Sequence, residues 1–117
     1  MSMLALAHVG DGVFELMTRS RLCQQGHTEV QQLHRLTVAR VRAEAQAKAM
    51  NSLLPLLNEE EQAIYRRGRN THVNSVPHNA QLSEYHAATG LEALFGWLFL
   101  QGRLERLEQL FAAIGEE

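Results

Sequence analysis

The sequence has few of the residues that cross-link, interrupt or extend a chain. A single cysteine, Cys23, excludes an internal disulfide and suits a reducing compartment. No motif surrounds it, so a small core residue is expected there rather than a reactive thiol. With two prolines and no glycine–serine tract, nothing marks a linker, and no long block of like charge marks a tail. No internal repeat is visible. The main apolar run, from Leu91 to Leu100, is about half of the ~20 residues a bilayer requires, so no membrane partner is expected. The apolar stretch Met3–Val9 lacks a basic flank and runs straight into Gly-Asp-Gly. It therefore does not read as a signal peptide, and a cytoplasmic protein is expected. No stretch alternates as a strand does, which makes the expected class all-α.

What is present fits one folded unit, a single domain over 1–117. Its 117 residues are 45% hydrophobic, enough for a real core. The net charge of −2 argues mildly against a nucleic-acid partner, but its distribution is uneven. Six basic residues face two acidic ones between Arg19 and Lys48, and the proportion inverts from Glu84 onward.

Apolar Leu6, Val9, Val13, Leu16 and Met17 give a helix from Leu4 to about Cys23, with Gly26 as its stop. Gly10 and Gly12 lie inside that helix, where each costs about 1 kcal/mol relative to alanine. Close approach of another helix or of a ligand is the usual reason. Thr28 with Gln31 reads as a capping box for a second helix with a face of Leu33, Leu36, Val41, Ala45 and Ala49. Asn58 with Glu61 is another such box. The acidic triplet Glu59–Glu61 and the basic Arg66, Arg67 and Arg69 then sit at the helix ends their charges favour. Residues 68–80 show no period and read as a loop. A central helix follows, apolar on every face from Leu91 to Leu100 and hence buried. Gly102 separates it from a last amphipathic helix carrying Leu104, Leu107, Leu110 and Phe111. Phe95, Trp97 and Phe99, embedded among leucines, read as core or dimer interface rather than as a platform for bases.

One acid, Glu92, lies inside the central apolar run, where a carboxylate must be paired, protonated or bound to a cation. Asp11 resembles it, being flanked by glycines and by Val9, Val13 and Phe14. Two helices that each set one acid against the core could meet and share a divalent cation. Mg²⁺ is typically held by one or two carboxylates plus waters. Glu15, one turn beyond Asp11, is a candidate further partner. The competing reading makes all three acids part of a solvated helix surface. No histidine spacing suggests a metal motif, and His34 reads as a structural histidine.

The run from Leu6 to Glu15, Leu-Ala-His-Val-Gly-Asp-Gly-Val-Phe-Glu, resembles the signature helix of the ribonuclease III fold, specifically its short form, Mini-ribonuclease III. Further blocks fit in order. They are Leu33-His34, Ala43–Ala47, Glu59–Asn70, Pro77-His78-Asn79 and Tyr85–Leu100, the last containing Ala-Thr-Gly-Leu-Glu-Ala-Leu-Phe-Gly. The resemblance implies a homodimeric, Mg²⁺-dependent endoribonuclease that cuts double-stranded RNA, with precursor large-subunit ribosomal RNA as the expected substrate. A ribosomal protein that presents this substrate is a further possible partner. Carried over by position, Asp11 and Glu92 are the catalytic acids and metal ligands. Arg66, Arg67, Arg69, Asn70, His72, His78 and Asn79 fall where the family contacts RNA. The chain is too short for the family's separate double-stranded-RNA-binding domain, so the catalytic domain is expected to hold its substrate alone.

This sequence also departs from the family. Full-length ribonuclease III has four acids around the metal; two of those positions are Ala7 and Thr89 here, a reduction shared by the mini family. His72 and His78 stand where lysines are usual, which predicts weaker and more pH-sensitive RNA binding. The short lead before the signature motif predicts an abbreviated first helix. Two other functions compete with the nuclease. A binding-only module on the same fold would have no reason to keep both Asp11 and Glu92. A helix-turn-helix regulator would need a turn before Arg35–Lys48, and none is suitable.

Overall fold

The computed structural model describes residues 1–71 and 81–115. Within them the chain forms six α-helices, α1 (Met3–Gln24), α2 (Val30–Val41), α3 (Ala43–Leu53), α4 (Glu59–Arg69), α5 (Leu82–Leu100) and α6 (Leu104–Ala112). A 3₁₀ turn over Leu54–Leu56 joins α3 to α4, and no strand occurs among the described residues.

Local chemistry fixes most helix ends. Ser2 caps α1 by accepting from Ala5 N at 3.0 Å, and the helix runs its full 22 residues despite the short lead. It closes in a Schellman motif. Gly26, at φ 97°, donates to Cys23 O, and His27 N donates to Leu22 O. The end of α5 repeats the device with Gly102 at φ 72°, Gly102 N to Phe99 O and Arg103 N to Leu98 O. Both glycines sit in the left-handed region, where side chains are strained. The Asn58–Glu61 capping box forms as expected, with bonds of 2.9 and 3.0 Å.

Several local expectations are corrected. The cap of α2 is Glu29, not Thr28; its carboxylate accepts from Gln31 N and Gln32 N. The second helix is two, broken at Arg42, which adopts an extended conformation. No proline or glycine causes the break. Instead α2 packs on α1 while α3 packs on α5, so packing against different partners overrides helix propensity. The buried face of α1 is Leu6, Ala7, Gly10, Phe14, Thr18 and Leu22, and Leu16 is 64% exposed. Cys23 is exposed, because Leu22 takes the core position of that turn. His34 lies exposed on α2.

Helix α5 is the axis of the fold and packs against α1, α3, α4 and α6. Leu91, Ala93, Leu94, Phe95 and Leu98 are fully buried on it, whereas Phe99 and Leu100 emerge at its end. Phe95 and Phe111 both pack their rings on Phe14, with centroids 5.6 and 5.9 Å away. Trp97 lies at the core's edge, with the Arg103 guanidinium 4.7 Å above its ring.

The acidic end of α4 does more than complement a helix dipole. Glu61 is 1% exposed and receives Arg106 through two bonds of 2.8 Å, while Arg106 also donates to Leu56 O. The guanidinium holds the Glu61 carboxyl below its usual range despite burial. Glu60 pairs with Arg103 at 2.9 Å. These ion pairs tie α6 and the 3₁₀ turn to α4.

Candidate active site

The site is set by how closely α1 and α5 cross. A Cβ on Gly10 would fall 1.6 Å from the backbone oxygen of Glu92, and one on Gly96 would fall 2.0 Å from Leu6 O. No side chain fits between these backbones. The glycine cost in each helix is therefore offset by a backbone-to-backbone contact that larger residues would abolish. Gly12 does not share this role, since nothing lies within 4 Å of its Cβ position.

The crossing brings together the two acids singled out from the sequence. Asp11 follows Gly10 directly, and its carboxyl lies within hydrogen-bonding reach of the Glu92 carboxyl. The two acids are not equally sunk. Asp11 is exposed in the single chain, contrary to the expectation that both would lie against the core, and Glu92 is half-buried. Burial, followed by the neighbouring Asp11 charge, pushes the Glu92 carboxyl up to about 8. Without a counter-charge, one acid of such a pair holds its proton near neutral pH.

A third side chain touches the pair. Gln46, 2% exposed on α3, donates from Nε2 to Val41 O at 2.8 Å and to Glu92 Oε2 at 3.3 Å. Sequence reasoning passed over it within a run of alanines. Its only signal was a large amide on the helix face that carries Ala49, Met50 and Leu53 into the core. Glu15, the candidate further partner, bonds to Arg19 at 3.0–3.1 Å instead. Ala7 is packed against Leu6 and Ala93, and Thr89 turns its hydroxyl back to Tyr85 O. Neither restores an acid to the site.

The arginine-bearing end of α4 lies on the same part of α5. Gly68, between Arg67 and Arg69, lies against Thr89, Gly90 and Ala93, the turn that also carries Glu92. Arg66, Arg67 and Asn70 are exposed and, with Met3, Ala63 and Thr71, line a shallow groove beside the start of α1. Arg69 is drawn inward, 5.6 Å above the Tyr65 ring and bonded to Asn70 Oδ1. His72, His78 and Asn79 lie outside the described residues.

The donor set suits a hard divalent cation. It offers carboxylate oxygens and no sulfur, and a cation held there would offset the burial and the Asp11 charge that raise Glu92. Among the described residues no group of three or more His, Cys, Asp or Glu could hold a metal ion. Asp11 and Glu92 would thus serve as the pair of carboxylates typical of Mg²⁺, with waters completing the shell. No helix of the described residues is long and apolar enough to cross a membrane.

Comparison with known proteins agrees with this architecture. The Ribonuclease III domain family matches residues 4–103. The chain is 42% identical over 113 residues to the Mini-ribonuclease 3 of Symbiobacterium thermophilum, covering 97% of this chain and 87% of that one. It is 43% identical over 109 residues to the Mini-ribonuclease 3 of Enterococcus faecalis, covering 92% and 83%. A crystal structure of a Fusobacterium nucleatum protein superposes with a TM-score of 0.86 at 30% identity, covering 95% of this chain and 90% of the other. An all-helical fold similar over nearly its whole length to these proteins leads to a single assignment, and the chain belongs to the ribonuclease III family and is an endoribonuclease.

Proposed function

We propose that the chain cuts double-stranded RNA in a Mg²⁺-dependent reaction in which Asp11 and Glu92 hold the cation. The observation that carries this reading is the Gly10–Gly96 crossing, which sets Asp11 beside Glu92 and leaves one of them reluctant to ionise alone. When bound, the cation supplies activation of water and stabilisation of charge developing on the phosphate. The chain's own groups do the positioning. Asp11 presents its carboxylate from the exposed face of α1, open to substrate, while Glu92 meets it from the half-buried side. Arg66, Arg67, Arg69 and Asn70 hold RNA beside this pair, and the family resemblance assigns His72, His78 and Asn79 to RNA contact as well. They read phosphates and 2′-hydroxyls across the minor groove, as A-form RNA requires.

The functional unit in this reading is a homodimer. On α1, Leu4, His8, Gly12 and Leu16 recur at four-residue spacing on one exposed face. A smooth stripe with open Gly12 at its middle suits packing against a second copy through the i±4 ridges. The likeness to Mini-ribonuclease III supports precursor large-subunit ribosomal RNA as the substrate in the cytoplasm, with a ribosomal protein as a possible presenting partner.

The test is cleavage of a fully paired RNA and of its separated single strand, each with Mg²⁺ or with chelator. The reading requires cleavage of the duplex alone, and only with the cation. Cleavage that persists with chelator overturns the metal role. Binding without cleavage of any duplex favours the binding-only module.

A further inference from the structure

Among the described residues, Gln46 is the one side chain beyond the acid pair that is bonded to it. Its orientation is forced. The carbonyl of Val41 can only accept, so the amide nitrogen must face it, and they lie 2.8 Å apart. The second hydrogen of that nitrogen then falls to Glu92 Oε2 at 3.3 Å. The other amide atom, Oε1, is left buried with no hydrogen-bond partner. A methionine or leucine would fill this space without burying an unpaired oxygen, and buried polar atoms without partners are rare in folded proteins. Val41 O explains the nitrogen but not the oxygen.

We propose that Gln46 is a positioning residue for the cation site. It fixes the Glu92 carboxylate through Nε2 and offers Oε1 as an acceptor to a water of the cation's hydration shell. This rests on the reading of Asp11 and Glu92 as the ligands. Ligating carboxylates are commonly held in turn by hydrogen-bonding neighbours, which orient them. Binding one Glu92 oxygen to an amide N–H leaves the other directed by a fixed partner rather than free to rotate. Metal-bound waters are donors and keep no acceptor for the protein, so a carbonyl oxygen is the complementary group. The break between α2 and α3 acquires a use in this picture. It exposes Val41 O to the Gln46 side chain and anchors the amide at its far side.

The test is Mn²⁺ binding by calorimetry without RNA, on folded wild type, Asp11→Asn, Gln46→Met and Gln46→Asn. Methionine keeps length and bulk without the amide. Asparagine keeps the amide but is too short to span both partners. The expected result is a roughly 10–100-fold loss of affinity in each Gln46 variant, the range typical for partners that orient metal ligands. Asp11→Asn should lose binding outright. Wild-type affinity in either folded Gln46 variant would overturn the proposal while leaving the acid pair intact as the metal site. Wild-type affinity in Asp11→Asn would instead overturn the metal site, and the role of Gln46 with it.

Discussion

Glu92 and Glu61 are both withdrawn from solvent, yet their neighbours push them in opposite directions. Glu61 is held low by Arg106, and Glu92 is pushed up to about 8 by burial and by Asp11. The folded state therefore keeps the Glu92 proton to higher pH than the unfolded state does. Stability from this group is full below its ordinary value of 4.5 and falls as pH rises toward about 8. In chelator, the wild type should thus lose stability between pH about 5 and 8, and Glu92→Gln should flatten that slope. Urea unfolding at several pH values measures it; equal slopes would contradict the upward push on Glu92 from burial and from Asp11. The Glu61 contribution has the opposite sign. It is present above 4.5 and is lost as pH falls through its lowered folded value. Arg106→Ala leaves Glu61 buried without its partner and should cost about 3–5 kcal/mol in urea unfolding. Replacing both members by apolar residues of similar size should cost far less. A loss below about 1 kcal/mol for the single change would show that Glu61 reaches water, as exposed pairs do.

At the scale of elements, the crossing of α1 and α5 both determines the packing and places the acids. Gly10→Ala would put a methyl into the Glu92 backbone and should destabilise by about 3 kcal/mol or more, since backbone cannot yield as a side chain does. Gly12→Ala, with open space around it, should leave the single chain folded. Thermal melts of the two variants separate the cases, and similar melting temperatures would contradict the crossing. Much of this level was legible in the sequence. Gly26 and Gly102 end their helices because only glycine tolerates those angles cheaply. Asn58 and Glu61 cap α4 through bonds set by their spacing. The α2–α3 break was not legible, because it comes from two partners in different places rather than from a breaking residue. On α1 Leu6 is buried and Val13 and Met17 pack against the core as the spacing predicts, but Leu16 turns outward, because the face centres on the less conspicuous pattern Phe14, Thr18, Leu22. Asp11 and Glu92 were legible as anomalies in apolar helices. Gln46 was not, because its meaning lies in two contacts across helices, with Val41 at the end of α2 and Glu92 on α5.

At the scale of the whole molecule, one face of α1 remains uncovered. Leu4 and Leu16 are 46% and 64% exposed there, close to Asp11 along the same helix. If a second copy covers this face, Leu16→Glu should convert a dimer into a monomer in sedimentation while the chain stays folded. A variant that sediments like the wild type would move the interface elsewhere. Because Asp11 and the stripe share one helix, association should also reduce solvent around the acids and strengthen their hold on a cation.

In the proposed function, Asp11 and Glu92 together perform the cleavage, and the arginine-bearing end of α4 serves it by holding RNA. The most direct measurement compares RNA affinity and cleavage rate for wild type, Asp11→Asn and Glu92→Gln on one duplex with Mg²⁺. Both variants should still bind the duplex, since the arginine-bearing end of α4 is unchanged, and both should show no cleavage above background. A variant that still cuts at near the wild-type rate would contradict a catalytic role for the pair and move the chemistry away from the crossing of α1 and α5.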